Sequence, residues 1–121
     1  MLKLIFNEFS QFSEYSSLIR DYLSDKGEKD EETYYNVRLA ICELAGNIIR
    51  HSKSSATVML RTDEKIIEIS ISGSRRFNYG KYCLPPCDKE NGRGIYIVRE
   101  ISQELQYTDG GREVNVIIKR H

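Results

Sequence analysis

The chain lacks an excess of charge of either sign: 18 basic residues stand against 18 acidic ones in 121. With no summed field to attract a polyanion or hold an anionic surface, direct nucleic-acid binding and membrane-surface binding are not expected, and a protein partner or a small ligand is. Long apolar runs are lacking too. None approaches the roughly 20 residues needed to cross a bilayer, and the stretch Met1 to Glu8 meets an acid too early for a secretory core, so a cytoplasmic protein is expected. Cysteine is scarce and odd in number, three in all, which suits free thiols in a reducing compartment better than a disulfide framework. No linker divides the sequence, and its length is that of one domain, residues 1–121.

What is present reads as alternating strand and helix patterns. Leu2, Leu4 and Phe6 alternate with Lys3, Ile5 and Asn7, which predicts a strand over about 2–9. Ser10 is placed to cap a helix from about Gln11 to Lys26, and Gly27 ends it. Glu28 to Glu32 reads as a solvated, charged connection whose acids sit well beside the positive end of a second helix, expected from about Glu31 to His51. Ala56, Val58 and Leu60, then Ile67, Ile69 and Ile71, predict a hairpin turning at Thr62-Asp63-Glu64. From Gly73 to Asn91 the pattern dissolves into a loop of a length that is usually functional. A third helix is expected to end near Leu105, and two strands, Leu105 to Thr108 and Glu113 to Lys119, flank the turn Asp109-Gly110-Gly111. The order predicts an α+β two-layer sandwich: a mixed, mostly antiparallel sheet with three helices on one face.

Two stretches carry chemistry. Glu43, Asn47 and His51 recur every four residues, so at about 100° per residue they fall near one line of the second helix, while Val37, Ile41, Leu44 and Ile48 form a separate apolar line. A carboxylate, an amide and an imidazole on one face are either a solvated surface or a site, and His51 is equally readable as a structural histidine at a helix end. In Asn91-Gly92-Arg93-Gly94-Ile95, two glycines at a helix entry allow backbone N–H groups to approach an oxyanion, with a plain loop-to-helix junction as the alternative and Arg93 either facing water or adding a cation. Cys83 and Cys87 bracket two prolines in the long loop. A zinc or redox pair there competes with simple stiffening, since His51 and His121 are the only histidines available as further ligands, and Cys42 reads as core.

A helix bearing Glu43, Asn47 and His51, then a hairpin, a lid-length loop, Gly92-Arg93-Gly94-Ile95-Tyr96-Ile97-Val98 at a helix start, and a last strand after Gly110-Gly111 resembles the GHKL (histidine-kinase-like) ATPase superfamily and its Bergerat-type fold. Within it, the chain is most similar to bacterial anti-sigma-factor serine kinases. The resemblance implies ATP or ADP with Mg²⁺ as cofactor, Asn47 as the Mg²⁺ ligand, Glu43 as general base toward an attacking hydroxyl, and Gly92, Arg93, Gly94 and Ile95 as the phosphate segment. It also implies a sigma factor or a STAS-domain antagonist as partner, and a homodimer. Two departures stand against it. The family's adenine-holding Asp falls on Gly73 by strand parity or on Ser72 by an ungapped match, and the Gly-Thr that usually opens the last strand is Gly111-Arg112 here. Each unmet buried hydrogen bond costs roughly 1 to 3 kcal/mol, so the resemblance implies weakened adenine recognition. Two functions follow: a partner-switching regulator with weakened or absent ATP use, or an active Mg²⁺-dependent protein-serine kinase.

Overall fold

The computed structural model describes residues 1–8, 10–52, 55–73, 90–108 and 113–120, with the side chains of 51, 52, 90–95 and 108 outside that description. In chain order the elements are β1 (Leu2–Phe6), α1 (Gln11–Asp25), α2 (Glu31–Asn47), a π-helical turn (Ile48–Ser52), β2 (Ala56–Thr62), β3 (Ile66–Gly73), α3 (Glu90–Ile101), β4 (Glu104–Thr108) and β5 (Glu113–Lys119). The sheet order is β1-β2-β3-β5-β4, and all four pairings are antiparallel. Among the described residues, the mixed character expected from the sequence is therefore absent from the hydrogen bonding. Strands β3 and β4, joined through α3, do run parallel, but β5 is inserted between them and pairs antiparallel with both.

Period-two alternation decides which face is covered. Leu4 and Phe6, Val58 and Leu60, Ile67, Ile69 and Ile71, and Val114, Val116 and Ile118 are buried, whereas their neighbours on the other face are half-buried or exposed. Onto the buried face pack Ile19 and Leu23 of α1, Val37, Ile41 and Leu44 of α2, and Val98 of α3. The apolar line expected on the second helix is thus the core stripe.

Local chemistry fixes the helix starts, in one case differently from expectation. Ser10 makes no side-chain cap; its backbone is already helical, with φ −58° and ψ −23°. Gln11, the first helical residue, instead turns its Oε1 back onto the chain before the helix, accepting the N–H groups of Asn7 and Glu8 at 2.5 and 3.1 Å. Asp30 caps α2 in the usual way, its carboxylate accepting from Thr33 N–H at 2.9 Å.

The connection before α2 is not simply solvated. Glu28 is only 3 % exposed. Its Oε1 accepts from Arg120 Nε at 2.9 Å and its Oε2 from Asp30 N–H at 3.0 Å, while its backbone carbonyl accepts from the buried Tyr34 hydroxyl. Arg120 also donates to the carbonyls of Lys26 and Asp63. One guanidinium, far away in sequence, thereby ties the α1–α2 junction to the β2–β3 turn.

This pairing gives the sandwich two distinct ends. At one lie the Arg120 staple, the start of α2, and the paired positions Ile66 and Lys119. At the other, α2 runs out into the π turn, and Ala56 opens β2 opposite Gly73, the last residue of β3. Helix α3 travels between the ends. Its 12 residues span about 18 Å, and three residues after its end Glu104 pairs with Ile117 near the stapled end. The amino terminus of α3 and the carboxyl terminus of α2 consequently share the end opposite the staple, and α3 packs against α2.

Candidate functional site

The end of α2 carries a polar group that the fold leaves unsatisfied. Asn47 has no exposed surface, and among the described residues neither its Oδ1 nor its Nδ2 has a hydrogen-bond partner. Among buried polar groups this is uncommon, because an enclosed amide without partners forfeits roughly 1 to 3 kcal/mol of solvation. The residues beside it in sequence, Leu44, Ala45 and Ile48, are apolar and buried.

Glu43 lies one helical turn before Asn47 and is half-buried. Its negative charge reaches Cys42, whose thiol is pushed above its ordinary value first by burial and then by Glu43, with Arg50 and Arg38 opposing. Cys42, expected in the core, is only half-buried and lines a surface crevice.

The helix does not run in α geometry to His51 as expected. From Ile48 the backbone adopts a π turn through Ser52. A π turn places more residues in each turn than an α turn, so the backbone after Asn47 falls behind the advance that a constant 100° per residue assumes. Such turns recur at functional sites. The imidazole of His51 lies outside the described residues.

The other site residues distribute as follows. Gly92, Arg93 and Gly94 do not precede the third helix; they lie within its first turns, α3 beginning at Glu90. The first four N–H groups of a helix have no partner inside it, and the helix dipole adds partial positive charge there, so this terminus suits an anion. The side chains of Arg93 and Ile95 lie outside the described residues. Gly73 closes β3 opposite Ala56, on the helix-covered face shared with Ile71. Ser72 alternates to the open face, between Thr57 and Glu113, away from the layer that holds Asn47. Gly111, Arg112, Cys83 and Cys87 lie outside the described residues.

The arrangement therefore unites Asn47, Glu43 and the α3 amino terminus at one end of the helical layer, with Gly73 closing the strand beneath. The spacing of Glu43 and Asn47 disclosed their shared helix; it gave no sign of the π turn, because a fixed period cannot register a change of period. Among the described residues no helix is long and apolar enough to cross a membrane.

A search of curated proteins finds no match. A family model described as the histidine kinase-like ATPase domain matches residues 8–118, nearly the whole chain. Domains of this family generally bind ATP with Mg²⁺. On the extent of that match, and on a fold that agrees with it, the chain belongs to the histidine kinase-like ATPase domain family.

Proposed function

We propose that the protein is a regulatory member of this family that exchanges protein partners, a sigma factor and a STAS-type antagonist, and holds nucleotide through phosphate and magnesium with little selectivity for adenine. The observation that carries the nucleotide half is the enclosed amide of Asn47, which has no hydrogen-bond partner among the described residues. Its Oδ1 is the neutral oxygen donor that a hard cation accepts, and Mg²⁺ needs only one or two protein oxygens beside nucleotide phosphates. Asn47 would hold the ion, and the backbone N–H groups opening α3 would take phosphate oxygens. Magnesium there supplies neutralisation of phosphate charge.

The adenine half has less to work with. Strand β3 ends in Ser72 and Gly73, neither with a carboxylate, and Glu113, opposite Ser72, shares its open face. A base site built on buried hydrogen bonds separates a correct from an incorrect ligand by about 10⁴ or more. Titration calorimetry with MgATP and MgGTP is therefore expected to give affinities within about tenfold of each other, both lost without Mg²⁺. ATP binding at least a thousandfold tighter than GTP contradicts weak adenine recognition. Partner exchange is supported by the balanced charge and by the resemblance of the two motifs; its test is complex formation with a sigma factor that an unphosphorylated STAS-domain protein displaces.

A second reading is an active protein-serine kinase. Glu43, half-buried and one turn from Asn47, favours it, since a carboxylate beside bound phosphate would take the proton of an attacking serine hydroxyl. In that case Glu43→Gln abolishes phosphoserine formation on the antagonist while nucleotide affinity is kept.

A further inference from the structure

Helices α1 and α2 run antiparallel, as shown by Arg20 near the end of α1 donating both Nη atoms to the carboxylate of Glu31, the first residue of α2, at 2.9 and 3.0 Å. Beyond that bridge they leave a crevice of about 340 Å³. One wall is Phe12, Ser16 and Ile19, the other Tyr35, Leu39 and Cys42. Each wall follows the i, i+4, i+7 steps of a single helical ridge. The crevice is deep enough that Ile19 is 3 % exposed, and open enough that Tyr35 on its rim is 60 % exposed.

Its lining is mostly apolar, with one cation. Arg38 lines the same crevice, is exposed, and among the described residues forms neither a hydrogen bond nor an ion pair. A small ligand is poorly matched to this shape, since pocket ligands bury about 70–90 % of their surface and the crevice is open along its outer side. A helix is well matched: two parallel ridges form the groove into which the ridge of a third helix fits. The unpaired guanidinium adds a demand for a carboxylate, which it binds in a two-pronged geometry.

We propose that this crevice docks an amphipathic helix of a protein partner, its apolar stripe seated between α1 and α2 and one of its carboxylates on Arg38. The inference is independent of the nucleotide reading, for neither Asn47 nor Glu43 lines the crevice. Specificity comes from the charge and affinity from the apolar stripe, because a single rim ion pair contributes little to affinity by itself.

The test titrates the full chain, labelled with ¹⁵N, with a synthetic helical peptide of about five turns carrying leucines at i, i+3, i+4 and i+7 and one glutamate beside that stripe. The amide signals of Ser16, Arg38 and Leu39 are expected to shift together and saturate. Arg38→Glu weakens the peptide by about tenfold or more, and a peptide with lysine in place of its glutamate recovers affinity for that variant. Ser16→Leu, which fills the crevice with Arg38 intact, blocks the peptide. Shifts scattered over the surface, or affinity indifferent to Arg38→Glu, overturn the proposal. So do shifts of the same amides on raising protein concentration without peptide, because a second copy then fills the crevice. MgATP affinity is the same in Arg38→Glu and the parent, so failure here leaves the nucleotide reading untouched.

Discussion

Glu28 and Arg120 are 4 % and 13 % exposed in their side chains and 2.9 Å apart, so their pairing is a buried one, unlike the exposed Arg20–Glu31 pair. Removing one partner of such a pair leaves the other charge without water or counter-ion. Arg120→Met is therefore expected to cost about 3–5 kcal/mol in urea unfolding, and a loss below about 1 kcal/mol would mean that the pair holds nothing. Arg20→Met, at the solvated pair, is expected to leave the urea midpoint nearly unchanged. Asp63 is a different case, exposed and held by the chain itself. The N–H groups of Ile66 and Lys65 donate to its carboxylate and keep its pKa below the ordinary carboxylate range. A depressed folded pKa means a stabilising contribution that is complete above the unfolded value and vanishes as pH falls through the folded one. Asp63→Asn retains the acceptor oxygen without the titration. It should lose less stability than the parent between neutral and strongly acid pH; equal losses in urea midpoint would refute the assignment.

At the scale of elements, α2 organises the molecule, with one face inside the core and another at the site. Leu44→Ala, on the core stripe, is expected to cost about 2–5 kcal/mol, and Tyr35→Ala, on the crevice rim, no more than about 0.5 kcal/mol, both read from urea midpoints. Comparable losses at the two positions would contradict the orientation of the helix. That orientation was legible in the sequence, because Val37, Ile41, Leu44 and Ile48 repeat at helical steps and hydrophobic burial enforces the period. So were the two hairpins, through alternation in β2, β3 and β5. The burial of Glu28 was not, because its partner is Arg120, and a local pattern of charges carries no information about a contact that closes only in three dimensions. The antiparallel β3–β5–β4 arrangement was hidden for the same reason: the order of strands in space depends on where α3 returns the chain. At the candidate site, the spacing gave Glu43 and Asn47 their common helix but not the isolation of the Asn47 amide, which depends on everything packed around it.

The whole molecule is polarised along the sheet. One end is cross-linked by Arg120, and the opposite end gathers the close of α2, the opening of α3 and the termini of β2 and β3. A ligand that binds there acts on the folded chain alone, so MgATP at about a hundred times its dissociation constant should stabilise folding by about 2.7 kcal/mol and raise the melting temperature in a concentration-dependent way. If Asn47 is kept for ligand binding at a cost to the fold, Asn47→Leu reveals both sides of that exchange, with stability and MgATP binding measured on the same sample. Replacing a buried amide that has no partner by an apolar side chain of similar size removes a desolvation cost, so the variant is predicted to be more stable by about 1–3 kcal/mol in the absence of nucleotide and to lose Mg²⁺-dependent ATP binding. A variant that is less stable than the parent, or one that binds MgATP as well as the parent does, would contradict the account.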